Sequence, residues 1–108
     1  LMHLGALRTI GYLKNNNFKH IVLNNNSHES VGGQLTNASG IDFNKFRDSI
    51  GYRNYYKIEN QNNIKKIIKR FISSKGPSLL EVKIKNGSLK NLSRPENLLS
   101  IKEKFMTN

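Results

Sequence analysis

Short apolar runs alternate along this chain with segments in which apolar residues recur at helical spacing. The apolar runs predict β-strands over residues 19–24 and 78–84, and the aromatic segment YRNYYKI predicts a further strand over residues 52–58. The periodic segments predict helices over residues 1–13, 43–50, 62–74 and 98–105. Because helices and strands alternate, the pattern predicts right-handed crossovers onto a parallel sheet of at least three strands, and hence a three-layer α/β sandwich.

The helix predicted over residues 62–74 has the clearest pattern of the four. Its apolar stripe consists of Ile64, Ile67, Ile68, Phe71 and Ile72. Lysine and arginine residues occupy the opposite face, and Gly76-Pro77 ends the segment. Such a stripe predicts a helix that packs on a sheet, although a basic amphipathic helix can also bind nucleic acid or a membrane surface.

A polar loop follows the first predicted strand, within the stretch HIVLNNNSHESVGGQ over residues 20–34. The loop carries amide, hydroxyl, imidazole and carboxylate groups, and Gly32-Gly33 frees its backbone. In open α/β sheets, ligands bind outside the carboxyl ends of the strands. The position and composition of the loop therefore predict a ligand site, because a turn alone requires fewer polar groups.

Two parts of the chain resemble the cofactor-binding domain of thiamine-diphosphate enzymes. They are VLNNNSHESVGGQ, with LMHLGALRTIG before it, and the later segment SLLEVKIKNGSLKNLSRPENLLSIKEKFM. Within that superfamily the chain is most similar to the phosphonopyruvate decarboxylases, in which a Gly-Asp-Gly motif precedes an Asn-Asn pair. The resemblance implies that residues 1–108 are the C-terminal part of the thiamine-diphosphate-binding domain, starting just after the expected Gly-Asp-Gly.

The resemblance implies thiamine diphosphate and Mg²⁺ as cofactors. Asn25 would supply its side-chain oxygen to the metal ion and Ser27 its backbone carbonyl, and both are ligands of the kind that Mg²⁺ prefers. Asn24 is expected to bond the backbone at the end of the strand instead. The residues implied to bind the cofactor are Asn25, Asn26, Ser27 and His28. His28 and Glu29 are the candidate catalytic residues, and hydrogen bonding within the loop is the alternative role for both.

Two positions depart from the pattern of related decarboxylases. Asn26 stands where Gly is common, and Leu35 stands where those enzymes have Pro. Asn adopts the left-handed conformation more readily than most residues do, so we expect the loop to keep its shape. The change at Leu35 affects the segment beyond the site.

The reaction implied by the resemblance is the decarboxylation of phosphonopyruvate to phosphonoacetaldehyde and carbon dioxide, a step of phosphonate biosynthesis. Sulfopyruvate or another 2-oxo acid is an alternative substrate. In this superfamily the glutamate that activates the cofactor lies on a different domain, usually of the other subunit. We therefore expect missing N-terminal domains and a homo-oligomer, a dimer or larger. By itself the chain is expected to be inactive and to bind the cofactor weakly or not at all.

Composition bears on the remaining alternatives. The chain has 108 residues, enough for one domain, and lacks cysteine, which excludes disulfides and thiolate chemistry. No apolar run is long enough to cross a membrane, and we expect a cytoplasmic protein. The net charge of +11 keeps a small nucleic-acid-binding module open as an alternative, although the lysines are scattered. A truncated remnant with a structural role is a third hypothesis.

Overall fold

The computed structural model describes residues 3–87 and 97–107 of the chain. In chain order, its helices and strands are α1 (Leu4–Leu13), β1 (Lys19–Asn24), β2 (Ser27–His28), β3 (Gln34–Leu35), α2 (Phe43–Ile50), β4 (Asn54–Ile58), α3 (Ile64–Ser73), β5 (Ser78–Lys83) and α4 (Leu98–Met106). Two short 3-10 helices, Glu29–Val31 and Asn37–Gly40, flank β3. Every helix and strand expected from the sequence is present, with ends that differ by a few residues.

Three parallel strands form the main sheet, in the order β1-β5-β4. Lys19 of β1 and Asn54 of β4 both pair with Ser78, so β5, the last of the described strands, lies in the middle of the sheet. This pairing confirms the predicted parallel sheet. Asn24 pairs with Lys83, and the carboxyl ends of β1 and β5 therefore lie side by side.

Helices cover both faces of the main sheet. One hydrophobic core joins α1 and α2 to the sheet and contains Leu7, Phe43, Ile50, Tyr52 and Leu79. The second core lies under α3 and contains Ile58, Phe71 and Leu80. Because successive side chains of a strand point to opposite faces, the adjacent Leu79 and Leu80 of β5 belong to different cores. The chain thus has the three layers predicted, and β5 is buried on both sides.

The sheet is covered unevenly on the α3 side. Phe71 is buried, whereas Ile68 and Ile72 of the same apolar stripe are exposed. Ile21 and Leu23 of β1 face the same side, because they pair with β5 residues that pack against α3, and both are also exposed. Helix α3 therefore packs over β4 and β5 and leaves this face of β1 open.

The basic residues of α3 lie on its solvent-facing side, as the sequence pattern predicts. They are Lys65, Lys66, Lys69 and Arg70, and all four are exposed. Among the helices of residues 3–87 and 97–107, none has the length and apolar character needed to cross a bilayer.

Helix α2 begins and ends as its sequence predicts. The Asp42 carboxylate accepts hydrogen bonds from the backbone N–H groups of Asn44 and Lys45, at 2.9 and 3.1 Å. Gly51 ends the helix with a φ of 80°, a left-handed conformation that glycine adopts without strain. Asp42 and Gly51 therefore fix the two ends of α2.

Three segments differ from the expectation or cannot be compared with it. Strand β4 begins at Asn54 and not at residue 52, because the backbone N–H of Tyr52 donates to Arg47 and completes the end of α2. The segment between the polar loop and α2, for which no strand is predicted, contains β3, which pairs antiparallel with β2. Residues 93–95, which precede the helix predicted over residues 98–105, lie outside the described residues.

Gly11 lets α1 approach the end of α2. A Cβ atom at Gly11 would lie 1.7 Å from the backbone oxygen of Ile50, whereas a Cβ atom at Gly5 would have no described residue outside its own helix within 4 Å. Gly11→Ala is therefore expected to lower the free energy of unfolding by about 1–3 kcal/mol through overpacking. Gly5→Ala is the matched control and should leave stability unchanged or raise it by up to about 1 kcal/mol. Chemical denaturation measures both variants, and equal effects would contradict this helix contact.

Candidate functional site

Asn24, the last residue of β1, joins the sheet to the polar loop. Its side-chain oxygen accepts a hydrogen bond from the backbone N–H of Asn26 at 3.1 Å. Its side-chain NH₂ group donates to Oε1 of Glu81 at 2.7 Å, and its backbone oxygen accepts from Ile84 at 3.1 Å. Asn24 therefore bonds the backbone at the strand end, as expected, and also contacts a carboxylate that the sequence analysis did not select.

The side chain of Asn25 is held at both ends. Its Oδ1 accepts a hydrogen bond from the backbone N–H of Ser27 at 3.1 Å, which forms an Asx turn. Its Nδ2 donates to Oε2 of Glu29 at 3.1 Å. These two hydrogen bonds give a defined orientation to the amide group that was predicted to bind Mg²⁺.

Asn26 has the left-handed backbone conformation, with a φ of 56°. Glycine adopts this conformation most easily and Asn tolerates it, so the departure from the Gly of related enzymes leaves the loop geometry possible. The backbone oxygen of Asn26 accepts a hydrogen bond from Thr36 at 2.9 Å. Within the described part of the chain, its side-chain Oδ1 is buried without a hydrogen-bond partner.

The segment that follows β5 holds the loop from the other side. Oγ of Ser27 donates to Oδ1 of Asn86 at 3.0 Å. The Glu29 carboxylate accepts a hydrogen bond from the backbone N–H of Gly87 through Oε1. Both oxygens of Glu29 thus take part in the loop structure, one with Gly87 and the other with Asn25.

A cleft of about 580 Å³ lies beside the loop. One side is lined by Val22, Leu23 and residues 24–28, and the other by Thr36, Asn37, Ala38, Ile41 and Phe43. The cleft brings together Asn25, Asn26, Ser27 and the exposed His28, which are the four predicted cofactor-binding residues. Glu29 is not among the lining residues.

Glu81 lies under the loop in the middle strand and is only 2% exposed. Besides the bond from Asn24, its carboxylate accepts a hydrogen bond from the Tyr55 hydroxyl at 2.6 Å and pairs with the Lys83 ammonium at 3.1 Å. Burial alone raises the pKa of Glu81, but the hydrogen bonds from Tyr55, Asn24 and Lys83 outweigh it and hold the pKa below its ordinary value. Burial and the bond to Glu81 raise the pKa of Tyr55. The pair therefore holds one ionised carboxylate and one neutral hydroxyl at neutral pH.

The sequence carries a signal for Glu81 that the sequence analysis passed over. Glu81 is the one charged residue in the first five positions of the SLLEVKI run, which otherwise reads as a buried strand. A buried charge requires partners, so its position in the run indicates a polar contact within the sheet. The identity of those partners, Asn24 and Tyr55, depends on strand order and is not visible in the sequence.

His20 lies at the start of β1, away from the loop, and takes no part in the cleft. Its Nδ1 is 3.2 Å from the hydroxyl of the buried Tyr52, and burial lowers its pKa. These contacts give His20 a structural role in the packing beside Tyr52.

The donors of the loop fit a hard cation better than a transition metal. They are amide, hydroxyl and carbonyl oxygens, which Mg²⁺ prefers. In the two described ranges, no group of three or more His, Cys, Asp or Glu residues could hold a metal ion. The buried, unpartnered Oδ1 of Asn26 is a further polar atom that a ligand or its water could satisfy. These oxygens would suit part of the coordination shell of Mg²⁺, and further ligands would have to complete it.

Comparison with known proteins assigns the family. The family model described as "Thiamine pyrophosphate enzyme, C-terminal TPP binding domain" matches residues 1–82, where TPP is another name for thiamine diphosphate. The chain belongs to this family. The match includes β1, the polar loop, the cleft and Glu81, whereas Asn86 and Gly87, which bond the loop, follow the matched residues.

Two curated relatives of this TPP-binding domain carry the same name. The chain is 34% identical over 96 residues to the phosphonopyruvate decarboxylase of Streptomyces viridochromogenes. It is 32% identical over 96 residues to the phosphonopyruvate decarboxylase of Streptomyces hygroscopicus. Each alignment covers 89% of this chain but 24% of the relative, so the chain spans about a quarter of their length.

The depressed pKa of Glu81 predicts how the stability of this TPP-binding domain changes in acid. A carboxylate whose pKa is lower in the folded state stabilises the fold above its ordinary pKa of 4.5, and this contribution is lost as the pH falls toward the folded-state value. Glu81→Gln lacks that contribution at every pH. Chemical denaturation is therefore expected to show the parent more stable than Glu81→Gln at pH 7, with a gap that narrows below pH 4.5. A gap that is independent of pH would contradict the assigned environment.

Proposed function

We propose that this chain is part of a thiamine diphosphate- and Mg²⁺-dependent decarboxylase that converts phosphonopyruvate to phosphonoacetaldehyde and carbon dioxide. The observation that carries the proposal is the hydrogen-bonded loop of Asn25 to Ser27, beside a cleft at the carboxyl end of β1, in a TPP-enzyme domain. The names of the two Streptomyces relatives suggest the substrate. Because the chain spans 24% of those relatives, the proposal includes further domains of the same enzyme.

Asn25 and Ser27 would hold the magnesium ion in part. Oδ1 of Asn25 accepts one hydrogen bond from Ser27 and has a second lone pair for the metal. Ser27 would contribute its backbone carbonyl. Mg²⁺ requires an octahedral set of oxygens and usually keeps waters while it bridges phosphates, so the diphosphate, water and residues of other segments would fill the remaining positions. Asn26 and His28, which line the same cleft, would contact the cofactor.

Thiamine diphosphate, when bound, supplies the electron sink that loss of carbon dioxide requires. His28, exposed at the cleft, would donate a hydrogen bond to an acidic group of the substrate. The hydrogen bonds of the Glu29 carboxylate with Asn25 and Gly87 support a role in positioning the Asn25 amide. Proton transfer by Glu29, the other role considered for it, would require one of these bonds to break.

The complete enzyme is proposed to be a cytoplasmic homo-oligomer, a dimer or larger, in which a further domain supplies the glutamate that activates the cofactor. Sulfopyruvate and other 2-oxo acids are alternative substrates, because the oxygen and nitrogen donors of the cleft would suit any of these acids. The exposed basic residues of α3 are the surface on which nucleic-acid binding would have to rest. The family assignment favours the decarboxylase over that alternative.

Asn25→Ala tests the metal ligand. Loss of a group that only supports a metal ligand typically weakens metal binding by about 10–100-fold. Because Asn25 is proposed to be a ligand itself, the variant of the complete enzyme is expected to need an Mg²⁺ concentration higher by at least about that factor for half-maximal activity. Asn24→Ala is the comparison variant and should have a smaller effect, because Asn24 acts through the backbone of Asn26. Decarboxylation is measured while Mg²⁺ and thiamine diphosphate are titrated, and an excess of both should restore part of the Asn25→Ala activity.

The opposite order of effects would place the motif one residue earlier. If Asn24→Ala needed more Mg²⁺ than Asn25→Ala, the ligand roles given to Asn25 and Ser27 would have to be withdrawn.

His28→Ala tests the substrate contact. If His28 faces the substrate, the variant is expected to keep most of its affinity for thiamine diphosphate and Mg²⁺ and to lose turnover by about 100-fold or more, the lower range for a positioned proton donor. His3→Ala, which removes an exposed imidazole before α1, is the control. Cofactor titration by calorimetry and steady-state kinetics separate the two quantities. Weaker cofactor binding with unchanged turnover would instead assign His28 to the cofactor.

A further inference from the structure

The polar network under the loop suggests a function for Glu81. Three donors converge on its buried carboxylate, and one of them belongs to Asn24, the residue from which the loop starts. An isolated buried carboxylate would be costly, and each donor reduces that cost. Tyr55 and Lys83 donate to the carboxylate from β4 and β5. Asn24 donates from the end of β1, where the loop beside the cleft begins.

An ionised carboxylate fixes which way the Asn24 amide points. A carboxylate only accepts hydrogen bonds, so the NH₂ group of Asn24 must face Glu81. The amide oxygen is then directed at the backbone N–H of Asn26, from which it accepts a bond. If the amide were reversed, its NH₂ group would face that N–H group and both hydrogen bonds would be lost.

Asn26 is the point at which this orientation matters for the loop. Its left-handed backbone is one that non-glycine residues rarely adopt and that surrounding contacts must hold in place. The contacts are the bond from its N–H to Asn24 and the bond from Thr36 to its backbone oxygen. Asn25 and Ser27 flank Asn26, so the spacing of the two proposed metal ligands depends on its conformation.

We infer that Glu81 is a positioning residue for the magnesium-binding loop, and that it acts by setting the orientation of the Asn24 amide. This inference rests on the proposed function. Glu81 does not line the cleft, and its effect on the metal would be exerted through Asn24 and the backbone of Asn26.

Four substitutions of Glu81 and its partners separate positioning from general stability. Glu81→Leu removes the acceptor, whereas Glu81→Gln can still accept from Asn24 through its oxygen and donate to the Tyr55 hydroxyl. Asn24→Asp sets two carboxylates against each other, and the double variant Asn24→Asp/Glu81→Gln restores the hydrogen bond with donor and acceptor exchanged. Tyr55→Phe is the matched control, because it removes a partner of the same carboxylate and leaves Asn24 untouched.

The readout is the affinity of the complete enzyme for Mg²⁺, measured by calorimetry with thiamine diphosphate in excess. Glu81→Leu and Asn24→Asp are expected to raise the Kd for Mg²⁺ by about 10–100-fold. Glu81→Gln, the double variant and Tyr55→Phe are expected to stay close to the parent, although Tyr55→Phe should melt at a lower temperature. Without cofactor, amide hydrogen exchange in residues 24–36 should be faster in Glu81→Leu, while exchange in β5 should not change.

Two results in these variants would overturn the inference. It fails if Tyr55→Phe weakens Mg²⁺ binding as much as Glu81→Leu does, or if the double variant binds no better than Asn24→Asp. If Glu81→Leu does not fold, the comparison of Asn24→Asp with the double variant decides. A parent enzyme that binds no Mg²⁺ with thiamine diphosphate would overturn the proposed function together with the inference. If the parent enzyme binds Mg²⁺ but the variants have the same Kd for Mg²⁺ as the parent, the inference is overturned and the proposed function is not.

Discussion

The hydrogen bond between the Asn24 amide and the Glu81 carboxylate connects the interior of this domain to its candidate site. Glu81 belongs to the middle strand, between two hydrophobic cores, where a charge is stable only if donors surround it. One of those donors is the residue at which β1 becomes the loop. The Asn24 side chain therefore has two roles: it stabilises the buried charge of Glu81 and it holds the backbone of the loop at Asn26.

Strand order brings the parts of the site together. Because β5 inserts beside β1 in parallel, the segments that leave the two strands emerge at the same edge of the sheet. Asn86 and Gly87, which follow β5, then bond Ser27 and Glu29 of the β1 loop. The loop is thus held from below by the sheet and from the side by the segment that follows β5.

Much of the fold could be predicted from local patterns. The strand over residues 19–24, the capped helix after Asp42 and the stripe of α3 each follow from the spacing of apolar residues and from helix-end signals. The pattern failed where a local contact competes with it or where an element is too short to show a period. Tyr52 completes α2 and does not join β4, and β2 and β3 have two residues each.

The sequence by itself determined the types of the elements, the parallel sheet and the cluster of Asn25, Asn26, Ser27 and His28, because these depend on residues close together in the chain. It also carried the resemblance that the TPP-enzyme family match confirms. Only the tertiary structure decided which strand lies in the middle, and hence that Glu81 meets Asn24, 57 positions away. It likewise brought Gly87 to Glu29. Periodicity records which face of an element is buried, whereas partners distant in sequence are chosen by how the elements pack.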